Sequence, residues 1–203
     1  MKIIGLCGGS GSGKGYCAEK IAKYSIPIID TDVVYHSLIN SKCECLDELV
    51  SEFGNLILKD ETAVDRTILR QIVFSDPERL LPKLNAITHK YVIKETDRLL
   101  EEYESQGKRA VLVEVPLMFE SGFDKRCDYV ICVVADRDLR IKRTMERDQI
   151  SHEYAKKRID SQMSDGVLLE RSDFAIVNDG NEILLDTQID DIMKKIFNAG
   201  EDD

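Results

Sequence analysis

At 203 residues, with 43% hydrophobic and 33% charged side chains, the chain suits one domain with a real core and room for small insertions. Twelve glycines and four prolines are too few for a linker-rich or disordered chain. A formal net charge of −10 repels a phosphate backbone, which argues against a nucleic-acid partner while leaving room for a locally basic pocket.

In chain order, residues 2–7 form a short apolar run that ends in glycines, which reads as a strand entering a loop and not as a signal peptide or membrane span. No other stretch approaches spanning length. Further strand candidates are 26–30 (IPIID), 110–115 (AVLVEV), 129–134 (YVICVV) and 174–177 (FAIV). Their apolar runs are continuous, as in parallel strands covered on both faces. Between them, Leu46, Leu49, Val50 and Phe53 recur at helical spacing, as do Ile68, Leu69, Ile72 and Val73. Ser75-Asp76-Pro77 reads as a helix start with a capping side chain and a first-turn proline. That helix is predicted to run to about Glu104, with Pro82 as a candidate break. Residues 182–197 read as a closing helix, and 199–203 as a frayed acidic tail.

Strands alternating with helices predict an α/β fold around a five-stranded parallel sheet. The span from 33 to 109 is too long for one crossover helix. It must hold a helical insertion, a natural place for a substrate-binding subdomain. The six cysteines include no CxxC pair and no zinc-type spacing. Cys7, Cys17 and Cys132 read as buried free thiols, and Cys43 with Cys45 as a surface CxC. That usage suits the reducing cytoplasm.

The run GGSGSGKG at 8–15 satisfies the first seven positions of GxxxxGK[ST], after a predicted strand and before a predicted helix. Glycines let successive N–H groups turn inward around a polyphosphate, and the helix N-terminus adds partial positive charge. Lys14 then reaches the terminal phosphates. The eighth position departs from the pattern: Gly15 stands where a Ser or Thr hydroxyl would ligate Mg²⁺. Water or another side chain must take that place, since Mg²⁺ usually keeps several waters.

Asp30-Thr31-Asp32 ends the second strand, where open parallel sheets present ligand-binding groups. A kinase needs one carboxylate for the acceptor hydroxyl and one for the metal. Asp32 is the candidate for the first task, and it is also open to the metal. Asp30 can help with either. The alternative is that Asp32 only caps a helix beginning at Val33. Glu114 is a weaker candidate for positioning metal or water.

After the fourth strand, DRDLRIKRTMERD places Arg140, Arg143 and Arg147 on one helical face. Arg143 and Arg147 read as arginines that close over a transferring phosphate in a water-excluding lid. Arg140 reads as part of a solvated face paired with neighbouring carboxylates. The polar helical segment 151–163 could complete the lid. Late in the chain, VNDG at 177–180, with Asn178, is placed either to meet an adenine edge or simply as a turn.

Taken together, GLCGGSGSGKG, IIDTDVVYHSL, VDRTILRQIVF, LNAITH, VPLMFESGF, RTMERD and FAIVNDG resemble the dephospho-CoA kinases, from residue 3 to about 185. The resemblance implies a P-loop kinase three-layer sandwich with core 1–32, 108–140 and 170–200. It adds a helical CoA-binding insertion at about 33–107 and a lid at about 141–168. It implies transfer of the ATP γ-phosphate, with Mg²⁺, to the ribose 3′-hydroxyl of dephospho-CoA, the last step of coenzyme A synthesis. Phosphate binding falls to Gly11, Ser12, Gly13, Lys14, Gly15 and Tyr16, with Gly9 ahead of them. Asp32 matches the carboxylate that activates the acceptor. Arg66, His89, Pro116 and Leu117 match positions near the substrate, although a histidine on a long helix is often only a surface residue. Arg143 and Arg147 match lid arginines. The family often has threonine at Cys7, proline at Lys90 and serine at Gly15. The alternatives are a nucleoside or nucleotide kinase on the same scaffold, or a nucleotide-binding regulator with weakened catalysis. The expected partner is a small molecule, with no nucleic acid and no membrane, for a monomer or weak homo-oligomer.

Overall fold

A computed structural model describes residues 1–198; the expected 199–203 tail lies outside them. The strands β1 (Lys2–Cys7), β2 (Ile28–Asp30), β5 (Ala110–Glu114), β6 (Tyr129–Val134) and β7 (Phe174–Val177) form one sheet in the order β2-β5-β1-β6-β7. β1 pairs in parallel with β5 and β6, and β6 with β7. Such pairing requires crossovers, which the intervening helices supply. The result is a three-layer α/β fold.

One sheet face is sealed by α1 (Lys14–Ala22) and α9 (Glu182–Asn198). Ile4, Leu6, Leu112, Ile131 and Ile176 pack there against Ile21, Leu185, Ile189 and Met193, all almost fully buried. Because side chains alternate along a strand, Gly5 of β1 points to the other face. A Cβ there would come within 2.7 Å of Met118 Cε and 2.8 Å of Cys127 Sγ, so only glycine lets that layer approach.

The chain divides into two compact units, one of residues 1–28 with those from 107 onward, the other of 29–106. The second unit contains α2 (Thr31–Ile39), α3 (Glu44–Phe53), a small hairpin of β3 (Leu58–Asp60) and β4 (Ala63–Val64), α4 (Arg66–Ser75) and α5 (Pro77–Ser105). It has its own core, in which Ile39, Leu49, Ile57 and Val73 are buried. The first unit ends with α6 (Arg137–Asp148), α7 (His152–Asp160), α8 (Asp165–Arg171), β7 and α9.

Several expectations are corrected. α5 runs unbroken through Pro82. The missing N–H there forfeits one bond near the helix start, and packing of Ile87 and Tyr91 into the helical core holds the rest. Asp76 precedes α5 without a side-chain cap, because its carboxylate pairs with Arg79 at 3.0 Å. α2 begins at Thr31, not Val33. Cys45 is 1% exposed inside the helical core, so the CxC pair is not a surface feature. The β3–β4 hairpin has no counterpart among the predicted strands, since neither strand exceeds three residues. Among the described residues, no helix is long and apolar enough to cross a membrane.

Candidate active site

The phosphate loop connects β1 to α1. Gly11 and Gly13 take φ of +76° and +84°, a left-handed backbone that glycine adopts without strain. Space demands glycine as well. A Cβ on Gly11 would meet the Arg140 carbonyl at 2.2 Å, and one on Gly13 would meet Asn178 Nδ2 at 2.1 Å. Gly15, inside the first turn of α1, has nothing within 4 Å of where its Cβ would stand. Its place in the motif is therefore a chemical departure and not a steric requirement.

Side chains from α6 and from the loop after β7 grip this backbone. Asn178 is 6% exposed and donates from Nδ2 to the Ser12 carbonyl at 2.9 Å. Arg143 Nη1 donates to the Asn178 carbonyl at 3.0 Å and to the Gly11 carbonyl at 3.3 Å. Both sequence-selected residues therefore reach the loop. Arg147 does not: it is exposed and pairs bidentately with the adjacent Asp148, at 2.7 and 2.9 Å. Arg140 reverses its expected placement. It is 4% exposed, donates to the Ser10 carbonyl at 3.0 Å and pairs with Asp165 at 2.5 Å. The cause is tertiary: Arg140 and Thr144 share the inward side of α6 that faces the side-chain-free Gly11, a neighbour remote in sequence.

Lys14 Nζ lies 2.5 Å from Glu114 Oε2 at the end of the adjacent strand β5. Beside the loop, Gly13, Tyr16, Arg143, Asn178, Gly180 and Leu185 line a cavity of about 270 Å³. Tyr16 donates from its hydroxyl to Glu182, and that bond pushes the phenol above its usual range and holds the Glu182 carboxyl below its own. At the end of β1, a hydrogen bond from Cys132 of β6 lowers the Cys7 thiol, whereas in α1 burial pushes Cys17 up to about 12.

A glycine loop with its lysine is common to many phosphate-binding folds, so a longer match decides the family. The dephospho-CoA kinase family model matches residues 2–183. The chain belongs to the dephospho-CoA kinase family. A dephospho-CoA kinase of Fusobacterium nucleatum is 36% identical over 97% of this chain and 95% of its own length. One from Bacillus cereus is 35% identical over 95% and 96%. Among solved structures, a Thermus thermophilus protein superposes with a TM-score of 0.76 at 31% identity, over 98% of this chain and 97% of its own. The dephospho-CoA kinase of Campylobacter jejuni superposes at 0.72 and 28%, over 98% and 99%.

The remaining residues carried over from the dephospho-CoA kinases sit as follows. Asp30 is the N-cap of α2, its carboxylate accepting from the N–H groups of Asp32 at 2.8 Å and Val33 at 3.3 Å. The cap role considered for Asp32 thus belongs to Asp30. Asp32 is exposed in the first turn, and its carboxylate has no hydrogen-bond or ion-pair partner among the described residues. Arg66 opens α4 directly after its cap Asp65. His89 is exposed on α5, and Pro116 and Leu117 are exposed just beyond β5. Within the helical unit, Tyr35, Arg66, Leu69, Arg70, Val73 and Phe74 contribute to a cavity of about 560 Å³.

Proposed function

We infer that this chain transfers the γ-phosphate of ATP to the ribose 3′-hydroxyl of dephospho-CoA, yielding coenzyme A and ADP. The observation that carries the reading is a phosphate loop clamped by Arg143 and Asn178, in a chain matched by the family along 2–183. The loop's N–H groups and Lys14 take the polyphosphate, and the cavity beside Tyr16 and Asn178 takes the adenine. Arg143 brings a fixed positive charge to the transferring group, where spread negative charge develops. Arg147 serves in the lid, residues 141–168, by exchanging Asp148 for phosphate.

Asp32 orients the acceptor hydroxyl and receives its proton, a role supported by its family match and its unpaired carboxylate. Asp30 supports that role by fixing the first turn of α2. The unit 29–106 binds the acceptor. Its cavity joins two arginines to an apolar lining, which suits a molecule with phosphates and a long uncharged arm. Arg66 takes the phosphates there, while His89, Pro116 and Leu117 lie along the acceptor. Six free thiols support a reducing, cytoplasmic setting.

The donor set fits a Mg²⁺ ion carried in mainly by nucleotide phosphates and water. Gly15 offers no hydroxyl, and among the described residues no group of three or more His, Cys, Asp or Glu could hold a metal alone. Glu114 is the buried carboxylate beside Lys14, and Ser12 Oγ is a buried hydroxyl in the loop with no protein partner. The ion would neutralise charge on the phosphates.

The test is Mg²⁺-dependent ADP release from ATP with and without dephospho-CoA. Release stimulated strongly by dephospho-CoA, and not by nucleoside monophosphates, is expected. ATP binding with no release under any acceptor would move the reading to a nucleotide-binding regulator.

A further inference from the structure

Ser10 is the one residue of the stretch 8–11 that carries a side chain, and all three of its polar groups are held from outside the loop. Its N–H donates to Gln162 Oε1 at 2.9 Å, and its Oγ accepts from Gln162 Nε2 at 3.2 Å. Its carbonyl accepts from Arg140 Nε at 3.0 Å. Arg140 is fixed in turn by Asp165 at 2.5 Å, and its Nη2 approaches Gln162 Oε1 at 3.5 Å. Gln162 belongs to the short connection between α7 and α8.

The glycines around Ser10 make this grip both necessary and feasible. A loop of Gly8, Gly9 and Gly11 gains backbone freedom that must be lost again whenever it wraps a polyphosphate. Gly9 also provides the space. A Cβ there would stand 2.1 Å from Arg140 Nη2 and 3.1 Å from Gln162 Oε1. A two-point amide contact on N–H and Oγ fixes the orientation of Ser10, which a single bond would not do. Because Ser10 N–H is already committed to Gln162, the contribution to nucleotide binding is indirect.

We propose that Gln162 is a positioning residue for the phosphate loop: with Arg140 it holds Ser10 so that the N–H groups following it are arranged for a polyphosphate before one arrives. This rests on the reading that the loop takes ATP. It links nucleotide affinity to the α7–α8 connection, which contains no residue of the glycine motif. Preorganisation of this kind acts on binding more than on the chemical step.

The experiment uses the full chain with Gln162→Met, Gln162→Glu and Ser10→Ala. It reads ATP affinity by calorimetry without acceptor, KM and kcat with dephospho-CoA, thermal midpoint, and amide exchange of residues 9–13 without nucleotide. Gln162→Met keeps the side-chain length and removes both bonds. It is expected to weaken ATP binding about five- to tenfold, the scale of one to two hydrogen bonds. KM for ATP rises in parallel, kcat stays within about twofold, and Ser10 exchange quickens while the thermal midpoint holds. Gln162→Glu retains the acceptor for Ser10 N–H and should recover most of the affinity. Ser10→Ala combined with Gln162→Met should cost less than the two separate losses together. Unchanged ATP affinity and unchanged Ser10 exchange in Gln162→Met overturn the proposal. So does a loss of affinity matched by a lower thermal midpoint and not restored by Glu, which marks a merely structural role. Failure of the unaltered chain to bind ATP would sink the ATP reading instead, and the exchange measurement would still judge the grip.

Discussion

Lys14 and Glu114 form a pair at 2.5 Å whose side chains are only 19% and 7% exposed. The lysine proposed to meet a terminal phosphate is thus already paired with a carboxylate from the neighbouring strand. On the proposed function, a bound polyphosphate would compete with Glu114 for Lys14, and a divalent ion carried in with the nucleotide would offer Glu114 a new counter-charge.

Glu114→Gln separates these effects. The neutral amide removes competition for Lys14, so ATP without Mg²⁺ should bind as well as before or more tightly. The enhancement of ATP affinity by Mg²⁺ should shrink by about tenfold, equivalent to about 1.4 kcal/mol. Calorimetric titration of both proteins, with and without Mg²⁺, reads the difference. An enhancement equal to that of the unaltered chain would remove Glu114 from metal binding.

Gly15→Ser restores the hydroxyl that the motif lacks. Beyond the adjoining backbone of its own helix, no atom lies within 4 Å of the new Cβ, and Gly15 is not in the left-handed region, so the side chain fits. Replacing a helical glycine should hold or raise stability by up to about 0.5 kcal/mol. The Mg²⁺ concentration giving half-maximal turnover is expected to fall severalfold. An unchanged Mg²⁺ titration would show that water serves equally well at this position.

Much of this was legible in the sequence because the strands are continuous apolar runs bounded by glycine or charge. β1, β6 and β7 fall on the expected residues, since each is followed by a loop that cannot continue the ladder. Pattern failed where tertiary contacts decide. Arg140 looks like one more arginine on a charged helix, and only the fold reveals that a glycine-lined hollow receives it. Gln162 carries no periodic or motif signal, and its partner Ser10 lies 152 residues away. Asp30 and Asp32 could both cap a helix by composition. Which one does so depends on where β2 ends, and element ends are fixed by backbone geometry more than by residue type.

That distinction is testable in two variants. Asp30→Ala removes the acceptor for two first-turn N–H groups of α2 and should cost about 1 kcal/mol of stability. Asp32→Asn breaks no recorded bond and should leave the denaturation midpoint and ATP affinity intact while cutting kcat by at least about a hundredfold. Near-normal kcat in Asp32→Asn would remove Asp32 from the chemistry.

Burial of the thiols gives the stability a defined alkaline limit. Desolvation pushes Cys17 and Cys45 up to about 12, from an ordinary value of 9.0. Below pH 9 both folded and unfolded chains keep these protons, and the thiols leave stability independent of pH. Between about 9 and 12 the unfolded chain releases protons that the folded chain retains, so stability falls as pH rises. Each thiol contributes a slope of up to about 1.4 kcal/mol per pH unit in that window. Urea midpoints measured from pH 7 to 10.5 should be flat to about pH 8.5 and then decline. Replacing Cys17 and Cys45 together by alanine should make the decline shallower without abolishing it, since burial also pushes Cys127 up to about 12, even though the cavities lower stability at every pH. A decline of equal steepness in the double variant would assign the alkaline loss to other groups.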